Sequence, residues 1–187
     1  MNRGSDIFAG PVEQVAPRLL GMILTSRIEG FECSVALTEV EAYGPQDPAS
    51  HSFRGRTPRN RTMFGSPGHL YVYRSYGIHW CANLVTGSEG EGAAVLLRAG
   101  VPVSGALTMI HRRGREDHLV DGPGKLCQAL AIDGTHDGLD VLDPESPVGL
   151  APGRPVPSWT TTPRIGLTRG NHLPWRFVAD GPADLPD

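Results

Sequence analysis

The chain has 187 residues and a mass of 20.0 kDa, with 39% hydrophobic and 20% charged residues. That is enough apolar material for one core and too little length to suggest two domains. No stretch nears the ~18 consecutive apolar residues of a membrane span, and the opening Met1-Asn2-Arg3-Gly4-Ser5-Asp6 lacks the apolar run of a signal peptide. Cys33, Cys81 and Cys127 stand far apart with no C-x-x-C, which argues against a disulfide framework or a cysteine-rich zinc site and for a reducing compartment. The Asn60-Arg61-Thr62 sequon then reads as a chance match.

The net charge of −3 hides an uneven distribution. Residues 1–53 carry 3 basic and 7 acidic side chains and residues 126–187 carry 4 and 8, whereas residues 54–125 carry 10 and 5. A basic middle between acidic flanks is how a one-faced basic patch looks in sequence. A solvated mixture that evens out in three dimensions would look the same. Of the 17 basic residues, Lys125 alone is lysine.

In chain order, Val12, Val15, Leu19, Leu20 and Ile23 recur at helical spacing, with Pro17 restarting the helix. Residues 34–43 alternate with period two and predict a strand. One face would carry Val35, Leu37, Glu39, Glu41 and Tyr43, apolar first and acidic and aromatic last. Gly44-Pro45 ends it, and residues 44–68 form a long loop rich in Gly, Pro, Arg and Ser. Residues 70–85 predict a β-hairpin turning at Tyr76-Gly77, and residues 93–98 a short strand. Short helices are expected at 103–113 and 125–132, the second opened by Gly122-Pro123-Gly124. Six prolines between Leu142 and Pro163 leave room for edge strands at most. The expected fold is one α+β domain over residues 1–180 around a mostly antiparallel sheet, with residues 181–187 as a tail.

Three stretches could carry chemistry. The strand end Glu39-Val40-Glu41-Ala42-Tyr43 offers a carboxylate beside a tyrosine, suited to activating water, although two glutamates on a solvated strand end are commoner. The loop Asp47-Pro48-Ala49-Ser50-His51-Ser52 runs into Arg54, Arg56, Arg59 and Arg61, which suit contacts to backbone phosphates. His51 reads equally as catalytic or structural. On the hairpin, Tyr71 and Tyr73 share a face with His79, Cys81 and Asn83, an aromatic wall for a planar ligand or an ordinary core cluster. Tyr76 and Ile78 protrude at its tip. His69, His79 and Cys81 lack a fourth ligand and a recognised zinc spacing. Gly122-Pro123-Gly124-Lys125-Leu126 fails as a Walker A loop, with Leu119 at the first glycine position and Leu126 after the lysine, although Lys125 could hold one DNA phosphate.

Taken in order, these pieces resemble the alkyladenine (3-methylpurine) DNA glycosylase family. The resemblance runs over residues 16–132 through Glu39-Val40-Glu41-Ala42-Tyr43, Asp47-Pro48-Ala49-Ser50-His51-Ser52, Gly55-Arg56-Thr57-Pro58-Arg59-Asn60, Tyr76-Gly77-Ile78-His79-Trp80-Cys81-Ala82-Asn83 and Gly122-Pro123-Gly124-Lys125-Leu126, with an echo at Arg164-Ile165-Gly166. It implies a monofunctional base-excision repair enzyme that flips alkylated or deaminated purines out of duplex DNA. Glu41 would activate water, with Arg98 and the backbone carbonyl of Ile165 holding it. Tyr43, His51 and Tyr73 would line the base pocket together with Ala49 and Leu96, and Asn83 would crowd the exocyclic amine of normal guanine. Tyr76 would wedge into the minor groove beside Ile78 and His79, while Arg54, Arg56, Arg59, Arg61 and Lys125 would touch DNA. Between Tyr43 and His51 the chain is one residue shorter than the family's usual spacing. No cofactor is implied. The partner is double-stranded DNA, with no membrane, and the protein is expected as a monomer in the bacterial cytoplasm, at the nucleoid when acting. The alternatives are a binding-only module for damaged DNA, which would not need Glu41, and an enzyme on free nucleosides, which would not need the wedge.

Overall fold

The helical repeat over residues 12–23 is short-lived. A single turn, α1 (Val12–Val15), gives way at Pro17 to a 3-10 turn (Ala16–Leu19), and Gly21 leads into strand β1 (Ile23–Ile28). Ile23 thus belongs to a strand rather than to the expected helix. The computed structural model describes residues 5–181, so residues 182–187 of the expected tail lie outside it.

The fold is α+β, as the sequence predicts, and its sheet is antiparallel throughout. Its strands are β1, β2 (Phe31–Tyr43), β3 (Leu70–Ser75), β4 (His79–Thr86), β5 (Ala93–Ser104), β6 (Val148–Ala151), β7 (Trp159–Thr162) and β8 (Arg176–Ala179). They run in the order β3-β4-β5-β2-β1-β6, while β8 lies along β2 at residues 39–41 and carries β7 outside it. Helices α2 (Ala106–Arg113) and α3 (Pro123–Ala129) pack on each other, α3 also against β4 and β5.

Several boundaries differ from expectation. β2 and β5 are longer than their apolar runs because they pair with each other over nearly their whole length, as far as Ser34 opposite Ser104. That pairing carries Val103 and Ser104 into β5, so α2 starts later than 103, at Ala106 after Gly105. Pro123 starts α3 before the expected residue 125, a position where its missing N–H costs nothing. The proline-rich stretch contributes β6 and β7 at the sheet margins, as expected.

Alternation across β3, β4, β5 and β2 sorts side chains onto two faces. Leu70 and Val72, Ala82 and Leu84, Val95 and Leu97, and Val40 and Ala42 enter the main core with the helices. Fully burying a Leu or Val side chain is worth about 1.5–3 kcal/mol, so this face stabilises the sheet. Tyr71, Val85 and Ala94 take the other face and form a smaller cluster with Met63, against which Tyr43 and Tyr73 pack.

In β2 the alternation is interrupted. Val35 and Leu37 face the main core, and so do Val40 and Ala42, three residues beyond Leu37 instead of two. The register with β5 slips at Thr38, between Leu37 opposite Gly100 and Glu39 opposite Ala99, and slips back at Arg98, before Val40 opposite Leu97. The expected single face from Val35 to Tyr43 is therefore split. The extra residue turns Glu39, Glu41 and Tyr43 away from the core that Val35 and Leu37 occupy, onto the face of Tyr71 and Tyr73.

Candidate active site

That second face floors a cavity of about 410 Å³. Glu41 lies at its base with no exposed surface. The Tyr43 hydroxyl donates to Glu41 Oε2 (2.8 Å), the Ile165 amide donates to Oε1 (2.9 Å), and Arg98 Nη1 stands 3.3 Å from Oε1. A carboxylate sealed from bulk water would be costly alone, and a cation with two donors offsets that cost. Burial and the Glu41 charge together push the Tyr43 hydroxyl well above its ordinary pKa, so it stays a donor. The contact from residue 165 is made by its amide.

Arg98 is itself held. Its Nε donates to Glu39 Oε1 at 2.7 Å, and Arg176 Nε reaches the same oxygen at 2.7 Å. Burial pulls the Glu39 carboxyl upward, but the hydrogen bonds from Arg176 and Arg98 outweigh it and hold it below the ordinary carboxylate value.

A second ion pair fixes the segment that brings Ile165 to Glu41. Arg164, 4% exposed, pairs through both terminal nitrogens with the buried Asp47, and also donates to the carbonyls of Ala42 (2.8 Å) and Gly170 (3.1 Å). Its guanidinium carbon lies 4.5 Å from the centre of the Tyr43 ring and 5.5 Å from that of Trp175, within cation–π range. Asp47 also accepts from the Ala49 amide (3.0 Å), so one buried pair joins the loop of Ala49 and His51 to the segment of Ile165.

The upper walls are aromatic. His51 and Tyr73 meet edge to face with ring centres 4.5 Å apart, and His51 Nδ1 is hydrogen-bonded to the Tyr71 hydroxyl at 2.9 Å. Burial pushes the Tyr71 hydroxyl up to about 12, so it stays protonated beside the ring. Burial and the nearby Arg59 charge lower the His51 pKa, which favours the neutral imidazole. Asn83 Nδ2 donates to the Tyr71 carbonyl (2.9 Å), which fixes the orientation of its carboxamide beside Cys81 and Leu96.

Most of the expected site thus converges. Glu41, Arg98, Ile165, Tyr43, Ala49, His51, Tyr73, Asn83 and Leu96 all border the cavity, and so does Tyr76 from the hairpin tip. Tyr76 is 90% exposed and has φ +49°, while Gly77 beside it has φ +69°. Two successive left-handed residues make the tight turn that suits a hairpin, closed by Ile78 N–H to the Ser75 carbonyl (3.0 Å). Ile78 is exposed on the same tip. His79 lies against Gly124, where an added Cβ would come within 2.9 Å of its own Cβ. Arg54, Arg56, Arg59 and Arg61 are all exposed, and only Arg59 reaches the cavity. Lys125 ion-pairs with Asp121 (2.8 Å) outside it. Among the described residues, no His, Cys, Asp and Glu side chains form a group of three or more that could hold a metal ion.

Sequence reading gave Asp47, Arg164 and Arg176 no role of their own, although Asp47 and Arg164 fall within quoted stretches, because their partners are more than a hundred residues away in the chain. It also passed over Asn60. This buried side chain donates to the carbonyls of His51 (2.8 Å) and Gly55 (3.1 Å) and accepts from Thr57, so it organises the arginine loop.

A match to the methylpurine-DNA glycosylase family covers residues 6–183. The chain belongs to that family. Bacterial relatives named "Putative 3-methyladenine DNA glycosylase" include one from Rhodopseudomonas palustris strain BisB18, 49% identical over 93% of this chain and 85% of its own. One from Streptomyces avermitilis is 48% identical over 94% of this chain and 86% of its own, and one from Agrobacterium fabrum is 52% identical over 79% and 75%. As a DNA glycosylase the enzyme is a hydrolase. Among its described residues no helix is long and apolar enough to cross a membrane.

Proposed function

We infer that the enzyme extrudes a damaged purine from duplex DNA into the Glu41 cavity and hydrolyses its N-glycosidic bond, leaving an abasic site in an intact strand. The observation that carries this reading is a buried carboxylate at the base of an aromatic cavity with an exposed tyrosine at its rim. Extruding a nucleotide costs roughly a few kcal/mol. Tyr76 filling the gap and the base stacking on Tyr43, Tyr73 and His51, at about 1–3 kcal/mol per stacked base, offset that cost. A purine alkylated at N3 or N7 is cationic, which favours electron-rich rings and makes it a good leaving group.

Glu41 then takes a proton from water as the water oxygen bonds to the sugar C1′. The electron pair of the breaking C1′–N bond neutralises the departing cationic base, so no acid is needed for such lesions. The buried charge of Glu41 also stabilises positive charge developing on the sugar. The exposed Arg54, Arg56, Arg59 and Arg61 supply phosphate contacts, and the protein acts as a monomer. Cleaving the strand as well would need an amine nucleophile. The single lysine is engaged by Asp121 outside the cavity, which supports a monofunctional enzyme.

Single-turnover release of 7-methylguanine from a duplex, read after alkaline cleavage of the abasic strand, tests this reading. Glu41→Gln should slow release on the order of 10²–10⁴-fold, the usual contribution of a general base, while lesion binding persists. Release at the wild-type rate would place the base elsewhere. Borohydride trapping of a covalent enzyme–DNA adduct would overturn the monofunctional assignment.

A further inference from the structure

Arg98 stands between two carboxylates. Its Nε is committed to Glu39 at 2.7 Å, while its nearest approach to Glu41 is Nη1 at 3.3 Å. Its place on β5 is where the register with β2 recovers from the slip at Thr38, which puts Glu39 and Arg98 beside each other. Glu39 is fixed from the opposite side by Arg176 Nε at 2.7 Å, and Arg176 Nη1 in turn donates to Thr162 Oγ1 at 3.0 Å. The Glu39 and Arg98 side chains are 17% and 12% exposed, so water screens this arrangement little. A guanidinium freed from Glu39 would present its whole fork to the next carboxylate, and a bidentate pair is the strongest form such a contact takes. A carboxylate so paired is a weaker base.

We propose that Glu39 is a positioning residue that ties Arg98 down, holds its nearest approach to Glu41 at 3.3 Å and so preserves the basicity of Glu41. This rests on Glu41 being the base. The groups facing Glu41 are Tyr43 and Glu39 from β2, Arg98 from β5, Tyr73 from β3, Arg176 from β8 and the Ile165 amide. Burial raises both tyrosine hydroxyls far above neutrality, so neither titrates where the enzyme works.

The test is the pH profile of single-turnover 7-methylguanine release, measured beside the affinity for the same duplex. Glu39→Gln removes the competing anion, and Arg98 closes on Glu41. The plateau rate should fall on the order of 10–100-fold, the scale of misplacing a catalytic group by about 1 Å, and the acid limb should move to lower pH with affinity unchanged. Glu39→Asp keeps the charge but withdraws it by one methylene, drawing Arg98 away from Glu41. Its acid limb should move to higher pH. Opposite displacements are a signature that a purely structural glutamate cannot produce. An unmoved limb in either variant, a limb displaced in the other sense, or a loss of affinity matching the loss of rate overturns the proposal. Each variant is decisive alone if the other does not fold. Failure of the base reading is separately visible, because Glu41→Gln would then release base at the wild-type rate.

Discussion

The base of the cavity and the tip of the hairpin are opposite solutions on one sheet. Glu41 has no exposed surface and every partner in place: a tyrosine hydroxyl, a backbone amide and a guanidinium. Tyr76 is 90% exposed and held only by the turn beneath it, with its backbone in the left-handed region. A group that moves protons gains from being fixed in a dry site before substrate arrives, because electrostatic stabilisation then needs no reorganisation. The wedge proposed for Tyr76 would need the reverse, a bulky side chain with nothing else to touch until DNA supplies a surface. The positive φ at Tyr76 is local strain kept where a side chain must project.

Breaking the clasp beneath the cavity is expected to have the largest effect. Arg164→Ala leaves Asp47 buried and unpaired and frees the Ile165 segment. Loss of one partner of such a pair costs about 3–5 kcal/mol, against a total stability of about 5–15 kcal/mol for a typical domain. Urea unfolding should report that loss. A change below about 1 kcal/mol, the worth of a surface pair, would mean that the clasp is not what holds the floor.

At the tip the expectation reverses, with function lost and stability kept. Tyr76→Gly relieves a left-handed backbone, worth about 1–2 kcal/mol, and adds the entropy of glycine to the unfolded chain at about 0.5–1 kcal/mol. Stability should therefore hold or rise slightly. Affinity for lesion-containing duplex should fall by about one to two powers of ten, following the loss of about 1–3 kcal/mol of stacking. Unchanged affinity in a titration with labelled duplex would remove Tyr76 from the DNA interface.

Tyr43→Phe sharpens the contrast within the base itself. It deletes one donor to Glu41, a charge-assisted hydrogen bond worth about 1.5–3 kcal/mol, while keeping the ring. Single-turnover release should slow by about tenfold. A rate equal to wild type would show that the hydroxyl does not steady the carboxylate.

What the sequence made legible follows the range of the interactions. The hairpin, with its Tyr76-Gly77 turn and its shared face of Tyr71, Tyr73, Cys81 and Asn83, rests on local periodicity and came through intact. β2 did not, because one extra residue at Thr38 inverts the alternation without leaving a mark in composition. Expecting Glu41 on the face of Leu37 therefore put its side chain on the wrong side of the strand. β1 and β8 were missed because Ile23 fits a helical repeat and Arg176-Phe177-Val178-Ala179 is too short for a periodic signal. The partners that steady the site, Asp47 with Arg164 and Glu39 with Arg176, are long-range ion pairs that become visible only when the chain is folded.

The weakest expected effect lies between the two regions, at His51 on the cavity wall. Burial first and then the Arg59 charge lower its pKa below the ordinary imidazole value, so the fold favours the neutral ring hydrogen-bonded to Tyr71. A histidine depressed in the folded state carries no penalty above its unfolded pKa of about 6.5. As pH falls below that value, the unfolded chain takes up a proton the folded one resists, and stability declines until the folded pKa is passed. The wild-type protein should lose stability over that interval, and His51→Gln, which cannot titrate, should lose less. Parallel curves for the two proteins in thermal melts across this range would show that the His51 environment favours neither form.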